Sequence, residues 1–336
     1  MAKWIVTAAL PYVNHMIHLG NLIGAQLSAD VFARYLRLKG EDVIFVSGSD
    51  QHGTPIEVEA LKKGISPEDL AMKNHEKLAE VFRRFEISTD NYSCTHNQVH
   101  IEFVRDFYLR IYDNGYIFSK EEVALYCPKD EIYLPDRFVV GTCPYCNYEQ
   151  AHGDQCENCK RLLTPAQLLD PKCSICGSPP VSKRTIHWYF DLPSFSGELK
   201  ELIAKSETLS ENAKKFSLQM IDQGLTPRSV TRDNKWGVPA PFPGADGKTI
   251  YVWMEALLGY ISMTIELFRR RGEEEKWKEY WMDGSTNVAF FIGKDNIPFH
   301  TIILPALLLA SKQGYTKKYF VSATEFLMFE GQKFSK

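Results

Sequence analysis

Apolar residues in this chain fall into two rhythms. Residues 4–9 and 42–48 are short runs rich in Val, Ile and Phe, and between them Leu22, Ile23, Leu27, Val31, Tyr35 and Leu38 recur at helical spacing before Gly40. That pattern predicts a β-α-β unit. Two more helices are expected, one opening at Ser66-Pro67-Glu68 with a serine cap and a first-turn proline, the other over residues 98–113 and stopping near Gly115. From about residue 116 to 227 the rhythm gives way to Cys, Pro, Gly and short polar loops around a compact helix at 210–223. Alternation then resumes with a helical pattern over 251–268, a strand at 287–292 running into Gly-Lys-Asp, an apolar helix at 298–310 and a strand at 319–322. Strands and helices on both sides of a foreign segment predict an α/β fold: one doubly wound parallel sheet split by an inserted domain.

At 336 residues and 44% hydrophobic content the chain is ample for one large core or two modest ones. Its net charge of −3 argues against gripping nucleic acid by bulk charge, and the patches at Arg269, Arg270, Arg271 and Lys214, Lys215 read as solvated helix faces. The first ten residues carry one lysine and a short apolar run that Pro11 interrupts, too brief for a signal peptide, and no run approaches membrane-spanning length. The expectation is a cytoplasmic protein without membrane contact.

Cysteine placement adds chemistry. Six of the eight form C-x-x-C pairs: Cys143 with Cys146, Cys156 with Cys159, Cys173 with Cys176. Disulfides would need an oxidising compartment, for which there is no export signal, so metal is the better reading. Cys143, Cys146, Cys156 and Cys159 supply four thiolates for a closed tetrahedral zinc site. Cys173 and Cys176 need partners, and the stretch YCPKD offers Cys127 and Asp130 for a second zinc, with His152 as rival fourth ligand.

The first strand runs through ALPYVNHMIHLGN into the first helix. Ligands of open α/β sheets bind at the carboxyl ends of strands, and a helix N-terminus offers N–H groups to phosphate. His18 and Gly20 therefore stand where a nucleotide would bind, although His18 could equally do no more than cap the helix. The final FEGQKFSK, with glycine, lysines and serine close together, reads like the middle of a phosphate-handling loop.

HLGN is similar to the H-I-G-H signature of class I aminoacyl-tRNA synthetases, and KFSK to the start of their K-M-S-K-S loop. With SDQHGTP, LPDRFVVGTCPYC, YVWMEALLGY and FFIGKDNIPFH, the chain resembles over essentially its whole length the methionyl-tRNA synthetases of archaeal and eukaryotic style. The resemblance implies a split Rossmann-type sheet with an inserted zinc-knuckle connective-peptide domain: residues 1–116 and 229–325 as the two catalytic halves, 117–228 as the insertion, and 326–336 as the start of a truncated K-M-S-K-S-like loop. It implies that methionine is activated with ATP, carried with Mg, to methionyl-adenylate and pyrophosphate, and that the methionyl group then passes to tRNA(Met). His18, Asn21, Lys333 and Lys336 would be catalytic, and His18, Gly20, Asn21, Gly293, Asp295, Lys333, Ser335 and Lys336 would hold ATP. Asn21 departs from the second histidine common in the signature. Asp50 would anchor the substrate ammonium and Arg232 its carboxylate, though either could be a surface ion pair. Leu10, Tyr12, Trp253, Ala256, Leu257, Tyr260, Ile297 and His300 would line the thioether pocket, with core packing as the bland alternative for those at helical spacing. Leu257 stands where the family often has proline. The zincs, one or two, would be structural, in a segment too loop-rich to hold its own core that arches near the tRNA acceptor end. The expected anticodon-binding domain is not in the chain, which reads as a monomeric catalytic fragment; a second half carried on a separate chain is the alternative. Two other readings stand beside this one: a zinc-knuckle RNA-binding protein, and a catalytically dead assembly piece.

Overall fold

Five strands, Lys3–Ala8, Asp42–Ser49, Asn91–Cys94, Asn287–Gly293 and Lys318–Thr324, run parallel in one sheet, in the spatial order fifth, fourth, first, second, third. The computed structural model describes residues 1–329 and 332–333 other than 15, 136, 137, 154, 155, 157, 160, 162 and 164, and only the backbone of 329, 332 and 333. Successive strand residues alternate between two cores. Ile5, Ile44, Val46, Val288 and Phe290 join the larger core, while Val6, Ala8 and Phe45 join a smaller one on the other face. A parallel sheet covered on both faces needs apolar side chains at most positions, which is why four of these strands read as apolar runs; the third, Asn-Tyr-Ser-Cys, does not, and the pattern does not predict it.

The helical run over 19–38 covers the smaller face, but of the predicted residues only Leu22 is buried, outside the smaller core. Its buried side is Ala25, Ala29, Ala33 and Leu36, whereas Ile23, Val31, Tyr35 and Leu38 point outward, Leu38 with 88% of its surface exposed. The three alanines let the helix axis lie close to the sheet, and Leu36 packs at the end of the same face. On the opposite face lie Gln98–Asp113 and Gly259–Arg270, packed together with the strands around Val104, Phe107, Ile261 and Phe268. The predicted continuous helix at 251–268 is broken into Val252–Glu255, a tight turn at Ala256–Leu258 and Gly259–Arg270. Among the described residues no helix is long and apolar enough to cross a membrane.

The segment between the third and fourth strands holds more order than its composition suggests. Ile117–Cys127 and Val181–Phe190 form a long antiparallel ribbon, in register from Ile117 opposite Phe190 to Tyr126 opposite Val181. The ribbon is half exposed and carries charges at Lys120, Glu121 and Glu122, so it gives no continuous apolar run. Beyond it, Val139–Thr142 pairs with Ala151–His152 and Leu169–Cys173. Contrary to expectation this part has its own core, with Leu134, Phe138, Val139, Ala151, Leu163 and Leu168 packed among the cysteines, and Val58 of the helix Thr54–Lys63 leans on it.

The helix faces generate a test. Ala29→Leu should overpack the sheet contact and destabilise the fold by about 1–3 kcal/mol, while Val31→Ser on the exposed side should stay within about 0.5 kcal/mol. Urea unfolding of the two variants reads the difference, and equal effects would mean the face is wrongly assigned.

Candidate active site and metal centres

Pairing of the first two strands continues past their formal ends. Asp50 N–H donates to the Pro11 carbonyl at 2.9 Å and Val13 N–H to the Asp50 carbonyl at 3.1 Å, so Tyr12 and Asp50 stand side by side at the carboxyl edge of the sheet. A cleft of about 310 Å³ opens there. One end is lined by Leu10, Tyr12, Asp50, Trp253, Ala256, Leu257, Tyr260 and His300, the other by His18, Gly20, Asn21, Gly293 and Asp295. Phe299, which the sequence reading passed over, also lines it and packs on Trp253 with ring centres 5.0 Å apart.

At the apolar end, several positions depend on close packing. A Cβ at Gly259 would come within 2.8 Å of Leu10 Cδ1, so glycine there lets Leu10 reach the cleft. His300 is buried, and its Nδ1 lies 2.9 Å from the Asn296 carbonyl, which can only accept; Nδ1 therefore carries the proton and Nε2 accepts from the Tyr260 hydroxyl, also at 2.9 Å. Burial holds the His300 pKa down to about 4, against the raising effect of the Asn296 bond, so the ring is neutral at physiological pH. Asp50 is different. Its Oδ1 and the nearby Tyr12 hydroxyl are buried without a hydrogen-bond partner, which a buried polar atom rarely tolerates unless a ligand group supplies one. Burial, then the charge of Glu255, lifts the Asp50 carboxyl well above the usual range, with a hydrogen bond from the His52 backbone acting the other way.

At the polar end, His18 does cap the helical run: it has an extended backbone, and its Nδ1 accepts weakly from Asn21 N–H at 3.4 Å. The same side chain lines the cleft, so both sequence readings of His18 coexist. A Cβ at Gly20 would press on the His18 ring at 3.1 Å, which explains the glycine. Asp295 is exposed on the tight turn Lys294–Asn296 that follows the fourth strand, and its neighbour Lys294 pairs with Glu325 at 2.6 Å.

Ile297, predicted in the pocket wall, and Arg232, predicted to pair with the substrate carboxylate, do not line the cleft. Ile297 is 3% exposed and sits in the core rather than at the cleft surface. Arg232 borders an adjoining hollow with Arg228 and Phe299; its guanidinium covers the Tyr251 ring at 3.7 Å and donates to Ser229 Oγ at 3.0 Å and the Thr231 carbonyl at 2.8 Å. Ser335 and Lys336, and the side chain of Lys333, lie outside the described residues.

Behind the cleft is a polar cluster that the sequence reading missed. Glu255 is fully buried between His52 and His100, at 2.7 Å and 2.5 Å. The one available signal was an acidic residue inside the otherwise apolar stretch YVWMEALLGY.

Cysteine side chains converge in two groups, Cys143, Cys146, Cys156 and Cys159 in one and Cys127, Asp130, Cys173 and Cys176 in the other, with the donor atoms of each within 4.8 Å of one another. All are free thiols. Sulfur separations of 3.8 Å for Cys143 to Cys159, 3.6 Å for Cys146 to Cys156 and 3.5 Å for Cys127 to Cys176 are far too long for disulfides. They match the edge of about 3.8 Å of a tetrahedron built on Zn–S bonds of about 2.3 Å. Asp130 Oδ2 lies 3.2 Å from Cys127 Sγ and 3.1 Å from Cys173 Sγ, so Asp130, and not His152, completes the second group. The donors fit a structural metal at both places.

A sequence profile described as tRNA synthetases class I (M) matches residues 4–336. The chain is 63% identical over 334 residues to a methionine–tRNA ligase of Thermofilum pendens, covering 99% of this chain and 59% of the relative. It is 62% identical to one of Korarchaeum cryptofilum, covering 99% and 60%. The chain thus spans about three-fifths of the length of the curated relatives it matches. In fold it is similar to a crystal structure of Mycobacterium tuberculosis methionyl-tRNA synthetase bound by methionyl-adenylate, with TM-score 0.70 and 23% identity, covering 97% of this chain and 58% of that one.

Two metal ions per chain are expected by elemental analysis. Asp130→Ala should lose the ion of its own group and leave the four-cysteine group loaded, giving about one. A parent protein with a single ion, or an Asp130→Ala variant that keeps both, would show that the second group is not a metal site.

Proposed function

The chain belongs to the class I tRNA synthetases of the methionine type, and from that premise we propose that it activates methionine with ATP to methionyl-adenylate and serves methionyl transfer to tRNA(Met). The observation that carries the reading is the cleft at the sheet's carboxyl edge, which brings apolar and aromatic side chains, a carboxylate with one oxygen left without a partner, and the start of a helix together.

In this reading the methionine thioether lies among Leu10, Tyr12, Trp253, Ala256, Leu257, Tyr260 and neutral His300, where aromatic edges suit a polarisable sulfur. Ile297 supports that wall from the core. The ammonium meets Asp50 and supplies the partner its Oδ1 lacks. Arg232 takes the carboxylate, which requires its guanidinium to leave the Tyr251 ring. ATP, carried with Mg, lays its phosphates against His18, Gly20 and Asn21, where the helix end favours negative charge, with the ribose at Gly293 and Asp295 on the nucleotide side. A carboxylate oxygen of methionine attacks the α-phosphorus, the bond to the bridging oxygen breaks, and pyrophosphate leaves with the electron pair. Little covalent help is needed; alignment and charge stabilisation lower the barrier. Lys333, Ser335 and Lys336 are assigned to the pyrophosphate on the family resemblance. The 3′-terminal ribose of tRNA then takes the methionyl group, releasing AMP.

The two metal groups hold zinc, which supplies rigidity rather than chemistry. We divide the chain into catalytic halves at 1–116 and 229–325, the zinc-bearing insertion at 117–228 and the start of the lysine loop at 326–336. The protein works as a monomer in the cytoplasm, where its tRNA is.

Methionine-dependent exchange of labelled pyrophosphate into ATP tests the proposal. Exchange should be strong with methionine and negligible with leucine, and homocysteine, short of one methyl, should be disfavoured by about 10–200-fold. Because free Asp50 must be ionised to capture an ammonium and its pKa is raised, kcat/KM for methionine should fall on acidification at a pH above the ordinary carboxylate range. Asp50→Asn should raise the methionine KM and abolish that acid limb. Folded, metal-loaded protein with no exchange and no methionine binding by calorimetry would refute the assignment.

A further inference from the structure

We propose that Glu255, clamped by His52 and His100, is a positioning residue that locks the short helix carrying Trp253 to the arm carrying Asp50. The inference rests on the methionine reading for its ligand and adds residues that the cleft does not expose.

The geometry is that of a buried relay. Glu255 Oε1 meets His52 Nδ1 at 2.7 Å and Oε2 meets His100 Nε2 at 2.5 Å, with all three side chains at 0% exposure. Each imidazole is held from behind: His52 Nε2 lies 2.9 Å from His96 Nδ1, and His100 Nδ1 lies 2.8 Å from Ser262 Oγ, whose hydroxyl reaches the Gly259 carbonyl at 3.1 Å. One carboxylate therefore joins the loop after the second strand, the helix Gln98–Asp113, the short helix Val252–Glu255 and the helix Gly259–Arg270. In sequence His52 is two residues past Asp50, and Glu255 is two past Trp253 and one before Ala256. Ammonium anchor and thioether wall are thus tied at a single point.

Electrostatics give the tie a second consequence. Burial pushes the Glu255 carboxyl up, but the charges and hydrogen bonds of His52 and His100 outweigh it and keep the group ionised. Facing this charge are Asp50 and Tyr12 from the sheet edge, His52 and His96 from the following loops, and His100 and Tyr108 from the helix behind. Tyr12 and Tyr108 are raised, mainly by burial, and stay neutral, while His96 is held down by burial and then by His52. Asp50 is the carboxyl neighbour on the cleft side, and burial and then the Glu255 charge make it harder to ionise until an ammonium arrives.

The test is pyrophosphate exchange over a pH series for the parent, Glu255→Gln and Glu255→Asp, with metal-loaded protein throughout. Glu255→Gln should raise the methionine KM about tenfold or more while kcat and the ATP KM change less than about threefold. Its acid limb in kcat/KM for methionine should move to lower pH, because Asp50 loses its negative neighbour, and Glu255→Asp should recover part of both effects. A folded Glu255→Gln variant with parental methionine KM and acid limb would overturn the proposal, as would one that loses kcat and both KM values alike. If Glu255→Gln does not fold, Ser262→Ala cuts only the outer support of His100 and should raise the methionine KM about twofold to fivefold at constant kcat; no change would overturn the proposal. A parent without exchange would instead count against the functional reading. Calorimetric methionine affinity of parent and variant then decides the positioning role, with equal or absent binding in both overturning it.

Discussion

A buried carboxyl group stays ionised only where cations or N–H donors surround it, and this fold buries both Glu255 and Asp50. Glu255 is answered from both sides by imidazoles, at the cost of ordering three histidines and a serine around it. Asp50, a few residues along the chain from His52, keeps one oxygen without a partner. The difference is made by tertiary packing, since nothing in either local sequence dictates it. It sorts the two acids into a fixed strut and a group waiting for a cation, and the cleft is built around the second.

The parallel sheet makes that arrangement affordable. Its strands are covered on both faces, so their ends project a set of loops onto one edge from a scaffold that does not yield. Tyr12 and Asp50 come from adjacent strands whose hydrogen bonding runs on beyond the regular ladder, and Gly293 and Asp295 come from the next strand over. A ligand spanning the cleft would touch residues nearly three hundred positions apart in sequence, yet each is held by a short connection to a buried strand.

The inserted segment solves a separate problem by different means. Its core is small, with alanine, valine and a few larger side chains, and the thiolate groups sit within it rather than on its rim. Metal at two such points would replace apolar area that so short a segment cannot bury. The ribbon of Ile117–Cys127 and Val181–Phe190 leads into and out of this unit, and Val58 packs against its core.

Much of this was legible along the chain. Short apolar runs marked four of the five sheet strands, C-x-x-C spacing marked the four-cysteine group, and the family motifs put His18, Asp50, Trp253 and Gly293 in one site, whereas the choice of Asp130 over His152 for the second group needed the fold. Local spacing suffices there because strand burial and thiolate geometry act over a few residues. What periodicity could not decide was which face of the 19–38 helix turns inward: its large apolar residues mimic a core stripe, but the face against the sheet is made mostly of alanines, with Leu36 near its end. Nor could it find the ribbon, whose charged, half-exposed pairing is set by a partner some sixty residues away, or the displacement of Arg232 onto Tyr251. The His52–Glu255–His100 cluster was least visible of all. Its members are individually unremarkable in sequence, and the low dielectric that makes their association obligatory exists only once four distant elements have closed around them.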